Sequence, residues 1–225
     1  IAAAGVFNLS IPYNALRRHA GLYLPEIESP RADIHRTIET FVEWRHQGTN
    51  LQAWYLRARH PLVARLLCRA IDPIEGDVPF RPILGILSEL TTKPDDMWFA
   101  ETLVFRIGRN FRSGSPAFSL ESDTPVQRAS REIFEAIPSQ VKDVSRPISH
   151  HEARYHIHVI HACLEGLDNE RSTTLSRNQI QGILDEEVLR SGEWLERALK
   201  IRGSLEPESN ICNTYARLKF AYANS

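Results

Sequence analysis

The sequence predicts an all-α protein, a stack of helical hairpins or an irregular helical bundle. Two observations carry that prediction. Apolar residues recur at spacings of three and four through most of the 225-residue chain, and strict alternation is nearly absent. Proline, glycine and capping residues cut these periodic stretches into short lengths with short connections. Nine or ten helices are expected on that basis.

The elements follow in order. Residues 1–12 are small and apolar and end at Pro12. A short helix is expected over Asn14–Tyr23, and Pro25 and Pro30 bracket the loop after it. Ser29-Pro30 opens a second helix carrying Ile34, Ile38, Phe41 and Trp44 or Val42, which Gly48-Thr49-Asn50 stops. Asn50 can cap a third over Leu51–His60, and Pro61 kinks or restarts the run toward Ile71. Pro82 starts Ile83–Leu90. Met97–Ile107 reads as a helix, with a strand at Leu103–Ile107 as the alternative.

Residues 108–126 hold glycines, prolines and hydroxyl residues and are the best linker candidate. A helix from Thr124 or Pro125 to Ile137 comes next, then a break over Pro138–Pro147. Ser149 can cap a long helix from His150 to about Leu167. These breaks allow a larger lobe, 1–145, and a smaller one, 146–225, or one continuous domain.

The C-terminal stretch has the most specific pattern. Asn178–Leu189 reads as one helix. Trp194, Leu195, Ala198, Leu199 and Ile201 form a further stripe, followed by Gly203 for a left-handed turn and Pro207 as a stop. Ser209 or Asn210 then caps a helix carrying Ile211, Tyr215, Leu218 and Tyr222. The residues Ala198-Leu199-Lys200-Ile201-Arg202, Leu205, Pro207, Tyr215-Ala216, Leu218 and Tyr222 resemble a tetratricopeptide repeat junction over 194–222. Glu206-Pro207-Glu208 stands where that family carries a His-Pro-type turn. Such repeats stack to bind partners, so the resemblance implies an interaction module. A start at Ile1 and a last helix without a stop signal suggest a piece of a longer protein.

Composition narrows the classes. Hydrophobic residues make up 42% and charged residues 24%, the proportions of an ordinary globular chain. A net charge of −1 argues against bulk attraction to nucleic acid or membrane, though not against a local patch. No apolar run approaches a membrane span. Cys68, Cys163 and Cys212 are far apart and set among apolar residues, which predicts reduced thiols in an intracellular, cytoplasmic compartment. Neither a nucleophile elbow, nor a metalloprotease HExxH, nor a dinucleotide fingerprint is present, and no cofactor is implied.

Four stretches carry candidate chemistry. His156-Ile157-His158-Val159-Ile160-His161 is similar to the HxHxDH motif of metallo-β-lactamase-fold hydrolases, but Ile160 replaces the ligating aspartate. On a helix, His158, His161 and Glu165 would share a face, a polar face rather than a zinc site without a further ligand. Arg146 to His151 resembles the Arg-His motif of HEPN ribonucleases, in which arginine stabilises phosphoryl charge and histidine moves a proton. The competing reading there is a helix start. Arg106, Arg109 and Arg112, interleaved with Phe105 and Phe111, could hold phosphates or an acidic peptide, or answer Asp95, Asp96 and Glu101. Arg57 and Arg65, eight apart beside Trp54 and Tyr55, could form a basic ridge.

The expectation is therefore a non-catalytic protein-protein interaction or scaffold module with a protein partner. Its binding residues would be Arg57, Arg65, Arg106, Arg109 and Arg112, with no catalytic or metal residue assigned. The alternative is an all-helical nucleic-acid-binding protein or HEPN-like ribonuclease.

Overall fold

The computed structural model describes residues 10–19, 42–46, 54–60, 62, 64, 66, 81–110, 118–121, 124–168, 174–204 and 206–223. Among the described residues the bounded elements run in the order β1 (Ser10–Pro12), α1 (Tyr13–His19), β2 (Val42–His46), β3 (Trp54–Ala58), α2 (Arg81–Ser88), α3 (Pro94–Asn110), α4 (Pro125–Ala136), α5 (Ser139–Lys142), α6 (Arg146–Asp168), α7 (Arg177–Lys200) and α8 (Glu208–Ala223), and residues 62, 64 and 66 are also helical. The all-α class holds, with one small sheet added.

That sheet corrects two expected helices. Val42–His46 and Trp54–Ala58 are antiparallel strands, with Trp44 opposite Leu56 and Val42 opposite Ala58. β1 pairs with the other edge of β3, Ile11 opposite Leu56. Both segments are rich in β-branched and aromatic types, which suit a pleated surface. Helical spacing could not weigh that pairing, because the partner strand lies elsewhere in the chain.

Contacts divide the chain into two compact units. The first is 1–103 with 135–138, and the second is 104–134 with 139–225. The first contains the sheet, α1 and α2. Its core includes Ile11, Ala15, Ile83, Leu87, Leu90 and Phe99. Asp96, in the first turn of α3, is buried; its carboxylate accepts from the Thr91 amide (2.8 Å) and hydroxyl (2.6 Å) and meets Arg18 at 2.5 Å. A carboxylate there also suits the positive end of the helix. Asp96 is thus answered by Arg18 and Thr91, not by the downstream arginines. Gly85 packs directly under the His19 ring, where a Cβ would collide.

The second unit is organised around α6. Residues 148–153 are buried without interruption, so its first half faces protein on all sides. Its start lies four residues earlier than the His150 read from sequence. Ser145 accepts from the Ile148 amide (3.3 Å), whereas Ser149 is an interior residue bonding the Lys142 carbonyl (3.0 Å). Pro147 fits because a first-turn residue has no intrahelical acceptor to lose. The Pro138–Pro147 break contains the short helix α5.

α7 is a single helix of 24 residues, where two stretches were expected. Gly192 does not end it, because Ile180, Leu184, Leu195 and Ala198 on either side keep the buried stripe continuous. Ser176 and Gln179 form a reciprocal capping box at its start. After α7, Gly203 takes a positive φ of 74°, as the sequence predicts. α8 then packs against α7 and α6, completing the expected helix-turn-helix over 194–222.

Candidate functional site

Arg146 is a buried charge with several hydrogen-bond partners. It is 4% exposed. Its Nε donates to the Ala198 carbonyl (3.2 Å) and Nη1 to the Glu206 carbonyl (2.9 Å). Nη2 donates to the Ile201 carbonyl and meets Glu208 Oε1 at 3.1 Å. The last carbonyls of a helix have no intrahelical donor, and the helix end carries partial negative charge. Arg146 therefore caps the C-terminus of α7 from another helix.

His150, one turn along, links the same elements. Its Nδ1 lies 2.5 Å from Glu206 Oε1 and its Nε2 lies 2.8 Å from Thr214 Oγ1. Hydroxyl, imidazole and carboxylate stand in the order of a nucleophile, base and orienting acid. The Thr214 hydroxyl is also within 2.9 Å of the Asn210 carbonyl one turn back. It can give its proton either way, so both protonation states of the imidazole keep both contacts. The Arg146 guanidinium is spent on carbonyls and on Glu208. The contacts tie α6, the α7–α8 connection and α8 together.

His151 faces another way. Its ring packs edge-on to Phe105 (6.0 Å, 84°) and against Gly108 of α3. Arg146 and His151 are thus not brought to one point: one serves α7 and α8, the other α3. A glycine at 108 allows this approach, since a Cβ there would sit 2.7 Å from His151 Nδ1.

Further along α6, polar residues pair across the α6–α7 and α5–α6 interfaces. Lys142 Nζ meets Glu152 Oε1 at 3.0 Å in a buried pair, and lies 5.1 Å from the Trp194 ring centroid. Arg197 lies 4.5 Å from that centroid and bridges to Asp143 (3.1 Å). Burial raises the Glu152 carboxyl, while Lys142 pulls it back down. His156 Nδ1 contacts Glu187 Oε2 at 2.6 Å, and the Ser191 hydroxyl reaches the Ala153 carbonyl at 3.3 Å. Cys163, buried below them, has its thiol pushed up to about 11, by burial first and then by Glu187. Cys163 and Cys212 are both free thiols.

The outer side of α6 presents a different chemistry. His158 stacks on Phe118 (5.4 Å, 16°). Its imidazole is lowered to about 4, by burial first and then by Arg154, His161 and Arg217. The groups acting on it are two arginines and a histidine. Arg154, His158 and His161 share one helix face at spacings of four and three, and Arg217 arrives from α8. Among the described residues no group of three or more His, Cys, Asp or Glu is placed to hold a metal ion.

The expected binding arginines are placed as follows. Arg57 is half-buried on β3, opposite Ser10 and Glu43 in register. Arg106 is half-buried on α3, in the other compact unit. Arg109 lies on α3, but its side chain is outside the described residues, as are Arg65, Arg112 and Cys68. The grouping with Arg217 was not read from sequence. The Arg154-His158-His161 spacing was visible there; the approach of α8 was not.

No family model matches the chain, and comparisons with curated proteins and with solved structures returned no significant match. No helix among the described residues is long and apolar enough to cross a membrane.

Proposed function

We propose that this chain is a non-catalytic protein-protein interaction or scaffold module, and that the outer half of α8 is part of its contact surface. One observation carries the reading. The α8 stripe starts buried at Ile211 (0%) and Leu218 (3%), then runs into solvent at Tyr222 (44%), beside Phe220 (74%). Large aromatic groups left wet on a helix that is otherwise seated are the residue types that anchor protein contacts. The weak likeness of 194–222 to a tetratricopeptide junction supports the same class. Arg146, His150, Glu152 and His156 of α6 support it too, because they are engaged in holding helices together.

Cross-linking with mass spectrometry, on the wild-type chain and on a Phe220→Asp/Tyr222→Asp variant, tests this. Partner cross-links should map to 216–223 and disappear in the variant, with the circular dichroism spectrum unchanged. Partner cross-links indifferent to both substitutions would overturn the reading. So would steeply salt-dependent binding of single-stranded RNA, the mark of phosphate contacts.

A further inference from the structure

α8 is seated more lightly than the helices it rests on. α6 is buried without interruption over 148–153, and α7 buries Ile180, Leu184, Ser191, Leu195 and Ala198 along its length. On α8, Ile211 and Leu218 are the buried side chains among those described, with Thr214 and Tyr215 half-buried. Phe220 and Tyr222 also have partners, yet both stay exposed. Elements with few buried apolar side chains open before the rest of a domain.

The polar pins divide at Pro207. Before it, Arg146 holds the carbonyls of Ala198, Ile201 and Glu206, and His150 holds the Glu206 carboxylate. After it, Arg146 meets Glu208 at 3.1 Å, and His150 Nε2 meets the Thr214 hydroxyl at 2.8 Å. Glu208 is 65% exposed, so its ion pair holds α8 only weakly. The Thr214 hydroxyl keeps the Asn210 carbonyl, within α8 itself, when His150 is left behind. Rotation at Pro207 and Glu208 therefore frees α8 while the connection before it stays fixed to α6. A free helix of 16 residues is marginal in water, so released α8 frays unless something takes it. Ile211, Tyr215 and Leu218, at spacings of four and three, are the pattern with which a helix enters an apolar groove.

We infer that α8 is a releasable docking helix, which swings off α6 and α7 about Pro207 and offers Ile211, Tyr215 and Leu218 to an apolar groove on a partner protein. The release follows from the seating of α8. The docking role rests on the interaction-module reading and says how α8 is offered. In the closed form α6 and α7 occupy the stripe, so they compete with the partner for it.

Amide hydrogen exchange on the full chain tests the release. Amides of 211–222 should exchange together, about a hundredfold faster than those of 148–153 and 184–198, and still more slowly than an unstructured chain. Leu218→Ala removes one buried side chain and should speed α8 about thirtyfold while α6 and α7 are unchanged. Thr214→Val removes the pin to His150, leaves the stripe intact, and should speed α8 severalfold. Exchange of α8 only in step with α6 and α7 would overturn the inference, as would α8 amides with no protection at all. A Leu218→Ala effect spread equally over the three helices would do the same. Partner cross-links to 211–218 should rise in Thr214→Val; if α8 opens faster and they do not rise, the docking role fails. If α8 opens as expected but partner cross-links ignore Phe220→Asp/Tyr222→Asp, the release stands and the module reading falls. If cross-links obey those substitutions and α8 never opens separately, the release fails and the module reading stands.

Discussion

Arg146 at the start of α6 donates its Nε–H to the carbonyl of Ala198 in the last turn of α7, across 52 residues of chain. That bond, with those to Ile201 and Glu206, makes one guanidinium the C-terminal cap of a 24-residue helix.

Arg146→Ala should therefore act on stability before anything else. It strips donors from one buried and two part-buried carbonyls and leaves Glu208 without its cation. The expected loss is about 3 kcal/mol or more, read by urea denaturation. Arg146→Lys should recover only part of it, because one ammonium cannot span the carbonyls that a planar fork reaches. Loss of an activity in Arg146→Ala would not by itself mark a phosphoryl-stabilising residue.

Gly108→Ala should destabilise by about 1–3 kcal/mol, the usual range for overpacking. The new methyl would press on the His151 ring at 2.7 Å. In a Gly108→Ala/His151→Ala double variant the clash is absent, so the two effects should fall short of additive in a thermodynamic cycle.

Lys142→Met should leave the buried Glu152 carboxylate without its ion-pair partner. The expected cost is about 3 kcal/mol, and adding Glu152→Leu should recover most of it. With Lys142 gone, the largest downward pull on Glu152 is lost, and burial is opposed only by the smaller effects of His156 and Arg197. Its titration should therefore move further upward from the ordinary 4.5, read by carbon-detected NMR.

His158 sets a pH dependence of defined sign. Its folded value, about 4, lies below the ordinary 6.5. Between these values the unfolded chain holds the proton more readily than the folded one, so stability rises with pH through that window. The contribution is complete above 6.5 and is lost as pH falls toward 4. Arg217→Ala should raise the His158 midpoint and flatten this part of the stability curve, measured by denaturation at a series of pH values.

The helices were legible wherever local spacing and local punctuation agree. Pro125 marks the start of α4, and Gly203 with Pro207 marks the turn before α8. The misreadings share one cause. Trp44 and Trp54 sit at spacings a helix would accept, yet Trp44 pairs with Leu56 and Trp54 with His46 in antiparallel strands. Ser149 had the look of a cap, but its hydroxyl goes to the Lys142 carbonyl. In each case the deciding partner is remote or lies on a face that periodicity does not identify.

The same division holds for the candidate surface. The amino-acid order sets Arg154, His158 and His161 on one helix face, because helix geometry alone brings every third and fourth residue together. It sets Ile211 and Leu218 on one stripe of α8 for the same reason. Packing settled the rest: Arg146 spent on α7, His150 between Glu206 and Thr214, and His158 stacked on Phe118. Those relations depend on where helices far apart in sequence cross. Crossing is chosen by the sum of many buried contacts, and no local spacing records that sum.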